Sequence, residues 1–201
     1  MPAPPTGKDV TMRCTDMIVP ATACALTAAL LAGCACATGP TDDAKGPGDM
    51  RLTSTQFADG ATLPAASAKT QGNRSPALSW EGRPRETMSY VLVCVDLAPI
   101  AHEWVHWMVV DIPPGMTQLP AGASGGAMPD AARELLNGFG ERGWGGPQPP
   151  PGSGTHTYRF TVYALDVAKL DVDDEAVLDD VLAAIEGHAL ATCVLEGTYG
   201  R

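Results

Sequence analysis

The sequence predicts a mainly β domain built on a large antiparallel sheet. Several segments rich in β-branched and aromatic residues are bounded by proline or glycine, a pattern typical of strands. These segments are Ser89 to Asp96, Val105 to Ile112, Tyr158 to Leu165 and Ala189 to Thr198. Some of them are almost continuously apolar, which indicates strands covered on both faces. Because strands come first and helical patterns come late, the order favours an antiparallel sheet with peripheral helices over a wound α/β sheet.

Two helices are predicted at the periphery of this sheet. From Asp174 to Glu186, apolar residues recur at helical spacing and form one stripe. The acidic residues that begin this segment suit the positive end of a helix dipole, and Gly187 is placed to end the helix. A second, shorter helix is predicted from Pro129 to Leu136, because proline favours the first turn of a helix and Asn137 and Gly138 follow.

The charge of the chain argues against a nucleic-acid partner. The 201 residues include 13 lysines and arginines against 23 aspartates and glutamates, a formal net charge of −10. Binding along a duplex needs clustered basic side chains, and the longest basic group here is Arg83, Pro84 and Arg85, with glutamates nearby. With 45% hydrophobic and 18% charged residues, the composition is that of one globular domain.

The first 33 residues are predicted to be a lipoprotein-type signal peptide. Met17 to Leu31 is an uncharged stretch that is interrupted by Pro20 and is too short for a membrane span of about 20 residues. The motif Leu31, Ala32, Gly33, Cys34 resembles the bacterial lipobox, in which the cysteine is lipidated and becomes the new N-terminus. The leader has 33 residues counted from Met1 and 22 counted from Met12, so either methionine can be the start. The alternative is a secretory peptide that is removed without lipidation.

A lipidated Cys34 predicts a protein that is anchored to the membrane at the cell envelope, on the periplasmic side. Residues 34–50 are small, polar and interrupted by proline and glycine, which predicts a flexible tether ahead of a folded domain at residues 51–201. Cys36, Cys94 and Cys193 remain in this oxidising compartment. Cys94 and Cys193 lie in apolar runs, where two buried free thiols are favoured over a disulfide.

The segment from His102 to His106 matches the HExxH motif of zinc peptidases, with Glu103 in the place of the general base. That chemistry requires a helix, because residues four apart on a strand lie about 13 Å apart. The segment runs directly into Trp107 to Ile112, which favours a strand, and the next histidine is His156. A zinc peptidase is therefore the least favoured alternative. We expect no metal or other cofactor, and His102 is interpreted as an exposed loop residue.

Three further stretches carry a family resemblance. They are Asn73 to Trp80, Val95 to Pro113, and Gly140 to Asp166, the last containing a Gly-Gly-Pro-x-Pro-Pro loop ahead of His156. In this order and at this spacing they resemble the bacterial branch of the phosphatidylethanolamine-binding proteins, also called Raf kinase inhibitor-like proteins. The resemblance covers about residues 52–201.

The resemblance implies a large antiparallel sheet with a smaller sheet, and a surface pocket for phosphate, acetate or phosphoethanolamine-like head groups. The residues expected to line this pocket are Asp96, Trp104, His106, Gly146, Pro150, His156 and Tyr158. The family has no shared catalysed reaction, so the resemblance implies a binding protein for a small phosphorylated or carboxylated ligand. Family members also inhibit kinases or proteases through protein contacts, which keeps an inhibitor or interaction protein as the alternative.

The sequence departs from the family pattern at two places. Val95 to Pro99 contains a single acid, Asp96, where the family has Asp-Pro-Asp-Ala-Pro. Thr157 follows His156 and the arginine comes two places later, at Arg159, where the family has His-Arg. Both departures bear on which head group the pocket selects.

The expected site residues have the chemistry of an anion pocket. Two imidazoles and a phenol offer N–H and O–H donors, and glycines such as Gly145 and Gly146 allow backbone amides to approach an anion. A carboxylate such as Asp96 beside His106 would favour the charged imidazolium, so anion affinity is expected to weaken as pH rises through the histidine titration. By its periodicity alone, Tyr158 is predicted to be a core residue. The spacing of His106 fits a buried structural histidine as well as a ligand-binding one.

Overall fold

The structure is a computed structural model that describes residues 49–201, and the predicted signal peptide, Cys34 and almost all of the tether lie outside the described residues. The strands are β1 Arg51–Thr53, β2 Leu78–Glu81, β3 Ser89–Asp96, β4 Val105–Ile112, β5 Gln118–Leu119, β6 Arg133–Glu134, β7 Thr155–Leu165 and β8 Ala189–Gly200. They form a three-stranded sheet in the order β1-β2-β5 and a five-stranded sheet in the order β6-β4-β3-β7-β8. All paired strands are antiparallel, which confirms the mainly β fold.

Strands β3 and β4 have the bounds that the sequence predicts, and β7 and β8 are longer than predicted. The extension of β7 back to Thr155 is important because it places His156 in the sheet, directly opposite Tyr199 of β8. The small sheet takes its middle strand from the end of the Asn73 to Trp80 stretch.

The large sheet is covered on both faces, as the apolar runs predict. On one face, Tyr90, Leu92 and Cys94 of β3 pack toward the small sheet in a core rich in aromatic rings. On the other face, Val91 and Val93 pack with residues of the C-terminal region. Successive side chains of a strand point to opposite faces, so one continuously apolar strand contributes to both cores.

Within residues 49–201 the structure contains one α-helix, α1, which runs from Leu178 to Ile185 and is therefore shorter than predicted. Val181 and Ile185 are its buried residues. The acidic residues before it form a turn instead of a first helical turn, because Asp174 pairs with Arg133 at 2.8 Å and Glu175 pairs with Arg142 at 2.6 Å.

The prediction of a helix from Pro129 to Leu136 is wrong. Pro129 begins a turn, closed by a 2.9 Å hydrogen bond from the Ala132 N–H to the Pro129 carbonyl, and the chain continues into β6 on the edge of the large sheet. Arg133 forms a 2.8 Å ion pair with Asp111 of β4. Proline followed by Asp and Ala suits a turn as well as a helix start, and the sheet partner decides between the two.

Cys94 and Cys193 are both free and buried, as predicted. Burial raises the pKa of both thiols, so both are protonated at neutral pH. None of the helices in residues 49–201 has the length and apolar character needed to span a membrane.

Candidate functional site

One cavity of about 240 Å³ lies at the edge of the large sheet where β3 ends and where β4 and β7 begin. Because β3 is antiparallel to both neighbours, the last residue of β3 lies beside the first residues of the other two strands. The topology therefore gathers Asp96, His106 and His156 on the walls of one hollow. Of the residues expected there, Trp104 and Pro150 also lie on its wall.

Asp96 and His156 form a buried pair. The Oδ2 atom of Asp96 lies 2.6 Å from Nδ1 of His156, and both side chains are almost fully buried. Asp96 lies directly opposite Tyr158 in the β3–β7 ladder, which makes His156 its diagonal neighbour on the same face. The second carboxylate oxygen accepts a 2.8 Å hydrogen bond from the Ala98 N–H, which fixes the orientation of Asp96.

The other side of the His156 ring contacts the turn that follows the proline run. Nε2 of His156 lies 2.9 Å from Oγ of Ser153, and that hydroxyl donates a 2.7 Å hydrogen bond to the Pro150 carbonyl. A chain of hydrogen bonds thus links Asp96 to the loop that forms one wall of the cavity. Ser153 is not among the site residues that the sequence motifs predict.

His106 reaches the cavity because of a bulge in β4. Val105 pairs with Val95 and Trp107 pairs with Cys94, so His106 is an extra residue on its strand. In a regular strand, His106 and Trp107 would point to opposite faces of the sheet. The bulge places both rings on the same face, where both contact Trp144. The His106 ring also meets Tyr158 edge-on, with 5.0 Å between ring centroids.

The electrostatics of His106 differ from the expectation. Asp96 bonds to His156 and not to His106, and Nδ1 of His106 donates instead to the Gly145 carbonyl. Burial disfavours the charged ring and lowers the pKa of His106, although the Gly145 carbonyl and the charge of Asp96 oppose this shift. His106 is therefore a neutral ring at neutral pH, with Nδ1 protonated and Nε2 as an acceptor. The expectation that Asp96 keeps His106 charged is wrong.

Tyr158 lies beneath the cavity and not on its wall, in agreement with its periodicity as a core residue. Its side chain is fully buried, and its ring packs against those of His106 and His156. Its hydroxyl has no hydrogen-bond partner among the described residues. Burial, followed by the negative charge of Asp96, raises the pKa of Tyr158 well above its ordinary value.

Aromatic side chains form the opposite wall. Trp104 meets Phe139 edge-on, with 5.4 Å between ring centroids, and Trp104 is 41% exposed at the mouth of the cavity. A Cβ atom on Gly138 would lie 2.4 Å from the Trp104 ring, so this wall requires glycine there. Lys69 lies 4.7 Å from the centroid of the Phe139 ring. Phe139 is not among the predicted site residues, because the Asn-Gly pair before it is also typical of a helix end.

Gly146 does not offer its N–H to the cavity. That N–H donates a 2.7 Å hydrogen bond to the Asn73 side chain, and the Gly145 N–H donates a 2.8 Å bond to the His106 carbonyl. A Cβ atom on Gly146 would lie 1.9 Å from the Ser67 carbonyl oxygen. Gly146 is therefore required for a close backbone approach, and the expectation of an anion-binding amide at Gly145 or Gly146 is wrong.

The HExxH segment is not helical. His102 and Glu103 are exposed and have left-handed backbone angles, with φ of 48° and 57°. His106 lies in a strand, so the geometry that a zinc peptidase needs does not form. In residues 49–201 no group of three or more histidine, cysteine or acidic side chains is placed to hold a metal ion.

Comparison with known proteins assigns the family. A family model described as "Phosphatidylethanolamine-binding protein" matches residues 53–200. The chain belongs to the phosphatidylethanolamine-binding protein family. The resemblance inferred from the three sequence stretches is thereby confirmed.

Several relatives in this family cover most of the chain. The UPF0098 protein of Methanothermobacter thermautotrophicus is 39% identical over 153 residues, which are 76% of this chain and 99% of that protein. The UPF0098 protein YbhB of Escherichia coli is 37% identical over 158 residues, with 75% and 99% covered. LppC of Mycobacterium tuberculosis, whose name describes a lipoprotein, is 34% identical over 150 residues, with 75% and 72% covered.

Solved structures agree with this assignment. The crystal structure of Escherichia coli YbcL, described as a member of the mammalian phosphatidylethanolamine-binding protein family, superposes with a TM-score of 0.71 at 33% identity. The match covers 76% of this chain and 98% of YbcL. The homologue CT736 of Chlamydia trachomatis gives a TM-score of 0.68 at 34% identity. Membership of this family indicates a protein that binds small ligands.

Proposed function

We propose that the chain is an exported, lipid-anchored protein that captures a small phosphorylated or carboxylated group in the cavity between β3, β4 and β7, by binding and without turnover of that group. The observation that carries the proposal is the convergence of His106, His156 and Asp96 on one hollow. Polar groups at the base of an otherwise apolar cavity are typical of a site that orients a small ligand.

The protonation state of His106 determines whether the site can donate a hydrogen bond to an anion. Asp96 and His156 satisfy each other, so the ring of His106 is the polar group left to meet a ligand. Neutral His106 offers only an acceptor at Nε2, whereas an anion needs a donor. Binding of a carboxylate therefore requires uptake of a proton at the site, and the affinity falls as pH rises. This is the direction that the sequence analysis expects, at a lower pH because burial lowers the pKa of His106.

The apolar wall contributes by excluding water. Trp104, Phe139 and Pro150 surround the polar base, and a hydrogen bond between the ligand and His106 is stronger in such surroundings than in water. Trp104 and Ile100 remain exposed at the rim, with 41% and 61% of their surface accessible. These two side chains are placed to contact the remainder of a larger ligand whose head group occupies the cavity.

The proposed anchoring at the membrane is supported by the sequence and by one relative. The lipobox-like motif ending at Cys34 is the support within this chain, and LppC is a relative whose name describes a lipoprotein. The tether of residues 34–50 would keep the domain near the membrane surface, which is where lipid-derived head groups are found.

Isothermal titration calorimetry with sodium acetate tests the binding proposal, because acetate keeps one charge across the neutral range. We expect His106→Asn to lower the affinity at least about tenfold, the loss of one hydrogen bond to a charged ligand. His102→Asn is the matched control, since His102 is an exposed histidine and asparagine tolerates its left-handed backbone. Equal affinities in the two variants would contradict the assignment of His106.

A further inference from the structure

A second hollow, of about 580 Å³, adjoins the cavity described above. Ser153, His156, Leu97, Ala98 and Ile100 are among the residues that line it. His156 and Ile100 belong to both hollows, whereas Ser153 belongs only to the second. Ser153 is partly exposed and lines only the second hollow, so a molecule in that hollow can reach it without entering the first cavity.

Three side chains at this boundary have the connectivity of a nucleophile, a base and an orienting acid. The Ser153 hydroxyl lies 2.9 Å from Nε2 of His156, and Nδ1 of His156 lies 2.6 Å from the Asp96 carboxylate. We call this set the Ser153 relay. Such a constellation is recognised by geometry and by the role of each group, and it occurs on unrelated folds in different chain orders.

The direction of the hydrogen bond between Ser153 and His156 depends on where the Ser153 hydroxyl proton points. Oγ of Ser153 also lies 2.7 Å from the Pro150 carbonyl, and it has a single proton to donate. When that proton points to Pro150, Nε2 of His156 must supply the proton of its bond to Ser153. In that arrangement His156 cannot accept a proton from Ser153. When the hydroxyl proton points to His156 instead, Nε2 accepts it, and this is the reactive arrangement.

We propose that Ser153 is a nucleophile for small carboxylic esters that enter through the second hollow, with His156 as general base and Asp96 as the group that orients the ring and stabilises the imidazolium formed when His156 takes the serine proton. Ser153 Oγ attacks the ester carbonyl carbon, and its proton passes to Nε2 of His156. The bond from the carbonyl carbon to the alcohol oxygen breaks, and the proton on Nε2 goes to the departing alcohol. Water repeats these steps on the acyl-serine and releases a carboxylic acid and free Ser153.

The neighbouring backbone offers a group for the developing oxyanion. The N–H that follows a nucleophilic serine is one of the usual donors to such an anion. Here it belongs to Gly154, an exposed residue with φ of 86°, and within residues 49–201 this N–H donates to no backbone carbonyl. Leu97, Ala98 and Ile100 provide an apolar surface for the acyl or alcohol group.

This activity goes beyond the binding function proposed above and departs from the expectation, drawn from the family resemblance, that no reaction is catalysed. It does not require an anion at His106. The two proposals therefore fail separately: Ser153→Ala removes the nucleophile and leaves acetate binding at His106, whereas His106→Asn removes acetate binding and leaves Ser153 in place.

A fluorophosphonate probe and p-nitrophenyl acetate test the proposal on the full chain. We expect the probe to label Ser153, identified by peptide mass spectrometry, and p-nitrophenyl acetate to give a burst of p-nitrophenol equal to the concentration of protein. Ser153→Ala should abolish both labelling and burst and lower the rate on the order of a hundredfold or more. Ser54→Ala, at a serine remote from the relay, should change neither.

One further measurement separates a chemical role from a structural one. Asp96→Asn should lower the rate on the order of a hundredfold or more with the probe site still accessible, because Asp96 bonds to Nδ1 of His156 and does not touch Ser153. Absence of labelling at Ser153, or equal hydrolysis by the wild type and Ser153→Ala, would overturn the proposal.

Discussion

The burial of His106 predicts how the stability of the domain depends on pH. The ring is 2% exposed, and burial lowers its pKa in the folded state. The unfolded chain therefore binds a proton at His106 near pH 6.5 while the folded protein stays neutral there. Stability from this group is fully present above pH 6.5 and is lost as pH falls below it. Between pH 7.5 and 5.5 the loss has an upper limit of about 1.4 kcal/mol, which is set by the pKa of histidine in the unfolded chain.

Urea unfolding followed by tryptophan fluorescence at pH 7.5, 6.5 and 5.5 measures this loss. His106→Asn removes the titrating group, so its free energy of unfolding should fall less than that of the wild type over this interval, with a difference of up to about 1.4 kcal/mol. Any constant cost of the substitution cancels because only the change with pH is compared. His102→Asn, at an exposed histidine, serves as the control. Parallel curves for the wild type and His106→Asn would refute the argument that burial keeps His106 neutral.

Four other substitutions or measurements have expected outcomes. Gly146→Ala should destabilise the domain by about 3 kcal/mol or more in urea unfolding, because its Cβ would lie 1.9 Å from a backbone oxygen. Gly152→Ala is the control: no atom lies within 4 Å of its Cβ position, so it should cost only about 1 kcal/mol of backbone strain. Gly138→Ala should displace Trp104, shift the tryptophan emission and lower acetate affinity about tenfold in calorimetry with little effect on stability. Calorimetry of acetate binding in buffers of different ionisation enthalpy should give uptake of about one proton near pH 7, and binding without proton uptake would count against a neutral His106. Mass spectrometry of the mature protein should find a diacylglycerol-modified N-terminal cysteine at position 34, and an intact Met1 would remove the anchor.

The strands were predictable because burial on both faces leaves an unbroken apolar run. Ser89–Asp96 and Val105–Ile112 have the observed bounds for this reason. The segment from Pro129 to Leu136 was not predictable in the same way. Its conformation is set by Asp111, a partner on another strand, and local turn chemistry does not contain that information.

The sequence predicts which residues line the cavity better than it predicts how their side chains are paired and oriented. Asp96, Trp104, His106, Pro150 and His156 lie on one cavity, as the motifs indicated. The pairing of Asp96 with His156 depends on strand register, and the orientation of His106 depends on a bulge of one residue. Neither feature has a local sequence signal, so the protonation of His106 could not be inferred before the structure.

Long-range ¹H–¹⁵N correlation spectra of the histidine rings, recorded at pH 7 during titration with acetate and then with phosphoethanolamine, test most directly whether these histidines form one ligand site. We expect the ring nitrogens of His106 and His156 to shift together and saturate with one binding constant for each ligand, and Nε2 of His106 to change from an unprotonated to a protonated nitrogen with acetate. The exposed rings of His102 and His188 should stay unchanged. Shifts confined to the exposed histidines, or no shift at His106 and His156, would contradict a binding site between β3, β4 and β7.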